Sequence, residues 1–114
     1  MIVVYGIKNC DSVKKARSWL ETRHIEYRFH DYRSDGLDAA LLQSFIDRLG
    51  LDTVLNQRSI SWRQLSAEQK QDLHAEKALQ LMLATPALIK RPIVDTGDTL
   101  IAGFNPELYP IPHE

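Results

Sequence analysis

The sequence contains a single cysteine, no excess of charge of one sign and no long apolar run. One cysteine excludes an internal disulfide and a zinc site built from several thiolates. The 14 Lys+Arg residues nearly balance the 15 Asp+Glu residues, which argues against a basic nucleic-acid-binding face. No apolar run approaches the roughly 20 residues of a membrane span, and the first residues lack the features of a secretory signal. These absences predict a cytoplasmic protein that binds neither a membrane nor nucleic acid directly.

The length and composition predict one folded domain over residues 1–114. The chain is 44% hydrophobic and 25% charged, which are ordinary globular values, and a chain of this length buries enough surface for its own core. No metal site is expected, because no histidine pairs with another at helical spacing and none lies near the cysteine. The four histidines are His24, His30, His74 and His113.

The apolar pattern predicts a strand, a helix and a second strand at the start of the chain. A β-branched and apolar run over residues 2–5, closed by Gly6, indicates a buried strand. Apolar residues at helical spacing over 13–20 indicate a helix, and alternation over 27–32 indicates the second strand. After the turn that follows, residues 37–85 are predicted to be mostly helical.

Capping signals divide this helical block. Asp35 or Asp38 is expected to open its first helix, and Gly50 to end it. Ser66, with a glutamine three residues later, forms a capping box for a helix that runs toward Ala84 with an interruption near residues 75–76.

Strand signals return near the end of the chain. Residues 93–95 and 99–102, joined by the turn Thr96-Gly97-Asp98, predict a hairpin. Asn105 before Pro106 predicts an N-cap and the first position of a short final helix. The predicted order is βαβ, a helical block and ββα, for which a minimal thioredoxin-like core is one of several α/β arrangements.

Cys10 lies at the predicted turn from the first strand into the first helix. Free N–H groups and the helix dipole stabilise an anion there by roughly 0.3–1 kcal/mol, Lys8 and Lys14 add positive potential, and a thiolate is the reactive form of cysteine. The alternative is an inert buried thiol, which is common. Because Val13 stands where a C-x-x-C motif has its second cysteine, any disulfide exchange must be resolved by an outside thiol.

Two arginines are candidate anion ligands, and the alternative for each is an ordinary surface residue without a role in binding. Arg91 precedes Pro92 at the start of the predicted hairpin, and Arg58 lies in the helical block. By pattern alone, each is more often an exposed surface arginine than an anion ligand, and an X-Pro bond is trans in about 95% of cases.

The sequence resembles the arsenate-reductase-related family, which includes the ArsC, Spx and YffB branches, and it is most similar to the YffB branch. The resemblance extends from Met1 to about Tyr109. It rests on segments that occur in the family order: YGIKNCDSVKKA at 5–16, FHDYR at 29–33, NQR at 56–58, WR at 62–63, IKRPI at 89–93 and GFN at 103–105.

The resemblance implies a thioredoxin-like fold, with a mixed four-stranded sheet and a helical insertion at about residues 37–85. It implies that Cys10 is the catalytic cysteine and that the peptide bond before Pro92 is cis. Arg91 matches an oxyanion-binding arginine of the family, and Arg58 lies in the segment that supplies another. We expect the substrate or glutathione to be held by Lys8, Asn9, Arg58, Arg91 and Pro92.

The implied function is a glutathione-dependent thiol reductase that works through a mixed disulfide. Glutathione is its co-substrate and no cofactor is bound. The partner is an oxidised or glutathionylated substrate, and the chain acts as a monomer. Two alternatives stay open. One is a Spx-like regulator that binds RNA polymerase without catalysis, although Val13 replaces the second cysteine usual in that branch. The other is an arsenate reductase, although Gly103-Phe104-Asn105 stands where a third arginine is expected.

Overall fold

The structure is a computed structural model and describes residues 1–109. The chain forms two compact units. The first contains Met1–Gly36 and the chain from Arg91 onward, and the second contains Leu37–Lys90. His113 lies outside the described residues.

The first unit is built on a mixed four-stranded sheet. Its strands are β1 (Ile2–Gly6), β2 (Tyr27–Asp31), β3 (Ile93–Asp95) and β4 (Leu100–Ala102). In the order β2-β1-β3-β4, β1 runs parallel to β2, whereas β1–β3 and β3–β4 are antiparallel. The predicted α/β fold with a mixed four-stranded sheet is therefore confirmed.

Helix α1 (Asp11–Thr22) connects the two parallel strands and buries the apolar stripe seen in the sequence. Val13, Ala16 and Leu20 have no exposed surface. The last two join one core cluster with residues of three strands and of the C-terminal segment: Ile2, Val4, Val94, Ile101 and Tyr109. Burial of apolar area, at about 25 cal/mol per Å², is the main force that holds α1 in place.

The second unit is helical, as the spacing of its apolar residues predicts. Its helices are α2 (Ala39–Leu49), α3 (Leu51–Val54), α4 (Ile60–Arg63), α5 (Ala67–Lys70) and α6 (Ala75–Ala84), followed by a 3₁₀ turn at Pro86–Leu88. Of the two candidate caps, Asp38 opens α2, because its side chain accepts a hydrogen bond from the Leu41 amide at 2.8 Å. Gly50 ends that helix with a φ of 89°, a left-handed conformation that glycine adopts without strain.

The predicted helix from Ser66 toward Ala84 is interrupted earlier than expected. The Ser66 capping box is present, but α5 ends at Lys70 and Asp72 takes a left-handed φ of 52°. His74 then caps α6, where its ring nitrogen accepts from the Lys77 amide at 3.3 Å. The interruption therefore covers residues 71–74 rather than residues 75–76.

The predicted hairpin is confirmed, and the predicted short final helix is present and begins at Pro106. The turn Thr96-Gly97-Asp98 joins β3 to β4, and Gly97 has a φ of 97°. The last helix is a single 3₁₀ turn, Pro106–Leu108. Asn105 occupies the predicted N-cap position but makes no side-chain capping bond; its side-chain amide donates back to the Ala102 carbonyl at 2.6 Å.

No helix within residues 1–109 is long and apolar enough to cross a membrane.

Candidate active site

Three chain segments meet at the carboxyl end of β1. The first continues from Gly6 to Cys10 at the start of α1. The second follows β2, where the Tyr32 amide donates to the Gly6 carbonyl at 2.9 Å. The third enters β3 through Arg91 and Pro92, because the antiparallel pairing of β1 and β3 brings the start of β3 to this end of the sheet.

Cys10 occupies the N-cap position of α1, in an extended conformation with φ −117° and ψ 126°. It is partly exposed. A close approach between β1 and α1 sets this position: a Cβ on Gly6 would lie 2.6 Å from Cγ2 of Val13. Because Gly6 has no side chain, the first turn of the helix can pack directly onto the end of the strand.

The surroundings of Cys10 favour its thiolate. Burial raises the pKa of the thiol. Three groups together outweigh burial and lower the pKa below the ordinary value of 9.0. They are the Val13 backbone amide, the Arg91 side chain, which is both a hydrogen-bond donor and a charge, and the Ser12 backbone amide. Helix amides and a guanidinium are the groups that stabilise a sulfur anion. A reactive thiolate is therefore chemically accessible at this position.

Arg91 supplies the positive charge beside Cys10 that the sequence pattern assigned to Lys8 and Lys14. Lys8 is exposed in the turn between β1 and α1, and Lys14 is exposed on α1, whereas the Arg91 side chain lies within hydrogen-bond reach of the Cys10 sulfur. Pairing between strands that are distant in sequence brings this arginine to the cysteine. Local sequence around Cys10 could not reveal it.

The loop that carries Arg91 is fixed from the C-terminal side. The Arg91–Pro92 peptide bond is cis, as predicted. The Pro92 carbonyl accepts from the Gly103 amide at 2.7 Å, and the Gly103 carbonyl accepts from the Tyr109 hydroxyl at 2.8 Å. Tyr109 in turn packs edge-on against Trp19 of α1. The sequence does not indicate a role for Tyr109, because no local pattern predicts a hydrogen bond from its hydroxyl to the Gly103 carbonyl.

The remaining predicted residues lie in two places. Asn9 is exposed beside Lys8 in the turn before Cys10. Arg58 is exposed in the second unit, where its backbone amide donates to the Asn56 side-chain oxygen at 3.1 Å. Their roles as substrate ligands stay predictions.

Tyr32 is a neighbour of Arg91 to which the sequence assigned no role. It is 3% exposed, and its hydroxyl has no hydrogen-bond partner among residues 1–109. Burial, with a contribution from Tyr5, raises the pKa of Tyr32, and the Arg91 charge opposes that rise. Tyr32 therefore stays neutral near the charged arginine.

Metal chemistry has no ligand set in the described part of the chain. Among residues 1–109, no group of three or more His, Cys, Asp and Glu side chains could hold a metal ion. The described groups at this site can stabilise a thiolate and bind an anion beside it.

Comparison with known proteins identifies the class of protein that has this fold and site. The sequence profile of the ArsC family matches residues 5–110, which is nearly the whole chain. The chain therefore belongs to the ArsC family.

Individual relatives resemble the chain over almost its full length. An uncharacterized protein of Haemophilus influenzae is 46% identical over 109 residues, which cover 96% of each chain. The solved structure of a YffB protein superposes with a TM-score of 0.91, at 44% identity, and covers 96% of each chain. The global transcriptional regulator Spx of Lactiplantibacillus plantarum is 25% identical, over 92% of this chain and 80% of the regulator.

Proposed function

We propose that this ArsC-family protein is a glutathione-dependent thiol reductase in which Cys10 is the nucleophile. The observation that carries the proposal is the lowered pKa of a partly exposed thiol that receives a hydrogen bond from Arg91. The chain has one cysteine, so a mixed disulfide on Cys10 cannot be resolved internally. A thiol from solution must complete the cycle.

The proposed reaction consists of two thiol–disulfide exchanges. The Cys10 thiolate attacks the glutathione sulfur of a glutathionylated substrate, forms a disulfide with glutathione and releases the substrate as a thiolate, which takes up a proton. The thiolate of a second glutathione molecule then attacks the glutathione sulfur on Cys10. This releases oxidised glutathione and restores the Cys10 thiolate. In sum, the substrate cysteine is reduced to a thiol and one glutathione thiol is oxidised, and the two glutathione units leave joined as one disulfide.

Arg91 serves both the thiolate and the co-substrate in this proposal. Its planar guanidinium can bond a carboxylate through two parallel hydrogen bonds, which an ammonium group cannot copy. The backbone of the loop through Lys8 and Asn9 provides further donors, and Arg58 is proposed as a second anion ligand. Cys10 and Arg91 come from one chain, so the reaction needs only a monomer. It needs no bound cofactor, and it suits a glutathione-rich compartment such as the cytoplasm.

The nucleophile is tested by its reactivity and by its adduct. We expect the rate of iodoacetamide alkylation of Cys10 to rise with pH with a midpoint below 9.0, because alkylation reports the thiolate. Oxidised glutathione should add the mass of one glutathione in intact mass spectrometry, and Cys10→Ser should abolish the adduct. An ordinary midpoint together with no adduct on the native chain would refute the proposal.

Arg91→Lys tests whether Arg91 binds the carboxylate of glutathione. A charge-assisted hydrogen bond contributes roughly 1.5–3 kcal/mol, so its loss should weaken glutathione binding about tenfold or more. Arg48→Lys is the matched control, because Arg48 is exposed on α2. An unchanged glutathione affinity and an unchanged alkylation midpoint in Arg91→Lys would remove Arg91 from the site.

A regulatory function is the second candidate, and the Spx relative favours it. In that case Cys10 would have no turnover with glutathione, and the chain would bind RNA polymerase directly. Affinity measurement with purified RNA polymerase, alongside the turnover assay, separates the two candidates. Arsenate reduction is the third candidate and is measured in the same assay with arsenate in place of the disulfide substrate.

A further inference from the structure

A groove along the outer face of α1 is not used by the proposed chemistry. It has a volume of about 500 Å³ and is lined by two aromatic and three cationic side chains, together with two hydroxyl side chains. The five principal side chains are Lys14, Lys15, Trp19, Arg23 and Phe104. All of them belong to the first unit.

The charge of this groove is opposite to that of the chain as a whole. The net charge of the chain is −1, yet the groove has three cations and no carboxylate among its lining residues. One carboxylate of α1, that of Glu21, is engaged elsewhere, where it accepts a hydrogen bond from the Tyr27 hydroxyl. A ligand with several negative charges therefore complements this face.

The floor of the groove is apolar and firmly packed. Trp19 and Phe104 are each partly exposed, and each packs edge-on against the buried Tyr109, with ring centroids 5.5 and 6.1 Å apart. The Arg23 guanidinium lies 4.1 Å from the Trp19 ring centre and donates to the Trp19 carbonyl at 3.2 Å. The groove thus presents aromatic surface with a cation already held beside it, which suits a segment that carries both apolar and acidic side chains.

The groove begins beside the nucleophile. With 3.6 residues per turn and a rise of 1.5 Å per residue, Lys14 lies about 6 Å along the helix axis from Cys10 and about 40° around it. Arg23 lies about 13 Å further along the axis, and nine steps of about 100° place it about 180° around the helix from Lys14. A peptide with its disulfide at Cys10 therefore meets Lys14 first and reaches Lys15 and Arg23 by crossing the outer face of α1 obliquely.

We propose that this groove docks an acidic segment of the protein substrate and so directs the disulfide of that substrate to Cys10. The proposal rests on the proposed function and names its substrate class: glutathionylated proteins with an acidic segment, containing an aromatic residue, beside the modified cysteine. Docking leaves the chemistry unchanged. The glutathione sulfur passes to Cys10, and the cysteine of the substrate leaves as a thiolate. Nucleic acid also complements the charges, but it offers no sulfur to the nucleophile.

Binding is tested separately from turnover. The probes are two labelled peptides of equal length that have a serine where the substrate has its cysteine. Three residues and then a Phe lie on each side of that serine. The three residues are Glu in the acidic peptide and Gln in the neutral peptide. Fluorescence anisotropy should show about tenfold tighter binding of the acidic peptide at low salt, as expected for several weak exposed ion pairs. The preference should disappear at about 0.5 M salt, where screening is strong.

Charge reversal locates the interaction. The double variant Lys15→Glu and Arg23→Glu should lose the preference for the acidic peptide, whereas the matched control Arg33→Glu and Arg48→Glu changes the net charge equally and should retain it. Thermal unfolding and the alkylation rate of Cys10 verify that both variants are folded with an intact nucleophile. Equal binding of the two peptides, or equal loss in both double variants, would overturn the proposal. So would tighter binding of a single-stranded oligonucleotide of the same charge, because it would make the groove a nucleic-acid site.

Turnover distinguishes this proposal from the proposed function. The glutathionylated cysteine forms of both peptides, and glutathionylated mercaptoethanol as a small substrate without a flank, are reduced with glutathione. If the native chain turns over all three equally, the docking proposal fails and the reductase stands. If it binds the acidic peptide but turns over none, the reductase fails while the groove remains a docking surface for acidic peptides.

Discussion

Tyr109→Phe removes one hydrogen bond that links the C-terminal segment to the active-site loop. The Tyr109 side chain is 3% exposed, and its hydroxyl donates to the Gly103 carbonyl at 2.8 Å. The Gly103 amide donates to the Pro92 carbonyl at 2.7 Å. The substitution keeps the ring, and with it the packing against Trp19, so its effect isolates the hydroxyl.

The expected loss of stability follows from the environment of this bond. A typical internal hydrogen bond contributes about 1 kcal/mol, and a buried acceptor left without its partner costs about 1–3 kcal/mol. Tyr109→Phe should therefore lower the free energy of unfolding by about 1.5 kcal/mol. For a domain of this size that corresponds to a Tm lower by about 6 °C.

Tyr32→Phe is the matched control, since it also deletes one buried tyrosine hydroxyl. The hydroxyl of Tyr32 has no partner within residues 1–109, so its removal relieves a buried polar group and should leave stability unchanged or slightly higher. Urea unfolding at pH 7, followed by circular dichroism, measures both variants against the native chain. Equal destabilisation by the two substitutions would refute the reasoning.

The pH dependence gives a second measurement on the same pair. Burial is the main cause that raises the pKa of Tyr109 to about 12 from the ordinary value of 10.0, and burial raises that of Tyr32 as well. A group whose pKa is higher in the folded state contributes stability that is full below its unfolded pKa and is lost as pH rises through the folded value. The native chain should therefore lose stability between pH 10 and pH 12. Each Phe variant should lose less over that interval.

Three further predictions concern the site and the caps. Gly6→Ala should cost about 1–3 kcal/mol in urea unfolding, because the new methyl overlaps Val13, and a neutral result would show that α1 can shift. Asp38→Ala should cost about 1 kcal/mol through loss of the bond from the Leu41 amide, while Asp38→Asn should lose little. Cys10→Ser should lose stability relative to the native chain as pH rises toward 9.0, because the pKa of the thiol is lowered in the folded state; a difference independent of pH would contradict the lowered pKa.

Much of the fold is encoded locally and can be predicted from the sequence. The alternation over residues 27–32 and the spacing over residues 13–20 predict β2 and α1, because each element buries one periodic face. The interruption between α5 and α6 falls earlier than the sequence predicts, since it depends on a left-handed conformation at Asp72. Aspartate adopts that conformation only occasionally, so its presence gives no clear signal.

The candidate site likewise has one part that local sequence predicts and one part that it does not. Cys10 could be found from its position between a strand and a helix, and its relation to the amides of Ser12 and Val13 follows from that position. The arginine beside it could not be found by local pattern, because Arg91 arrives through the pairing of β1 with β3. The resemblance to the family supplied that residue where patterns of charge had favoured the nearby lysines.

The lowered pKa of Cys10 therefore depends on both ends of the chain. The helix amides depend on the close approach of Gly6 and Val13, which is local, whereas Arg91 precedes Pro92, whose carbonyl is held by a C-terminal bond from Gly103. A chain that shared only the first strand, loop and helix would keep the thiol at a helix start but would lose the guanidinium. Its cysteine would then be stabilised by dipoles alone, which are worth less than a charge-assisted hydrogen bond. The residues that activate the nucleophile are thus distributed over the fold, and the C-terminal segment belongs to the site although none of its described side chains is proposed to touch the reacting sulfur.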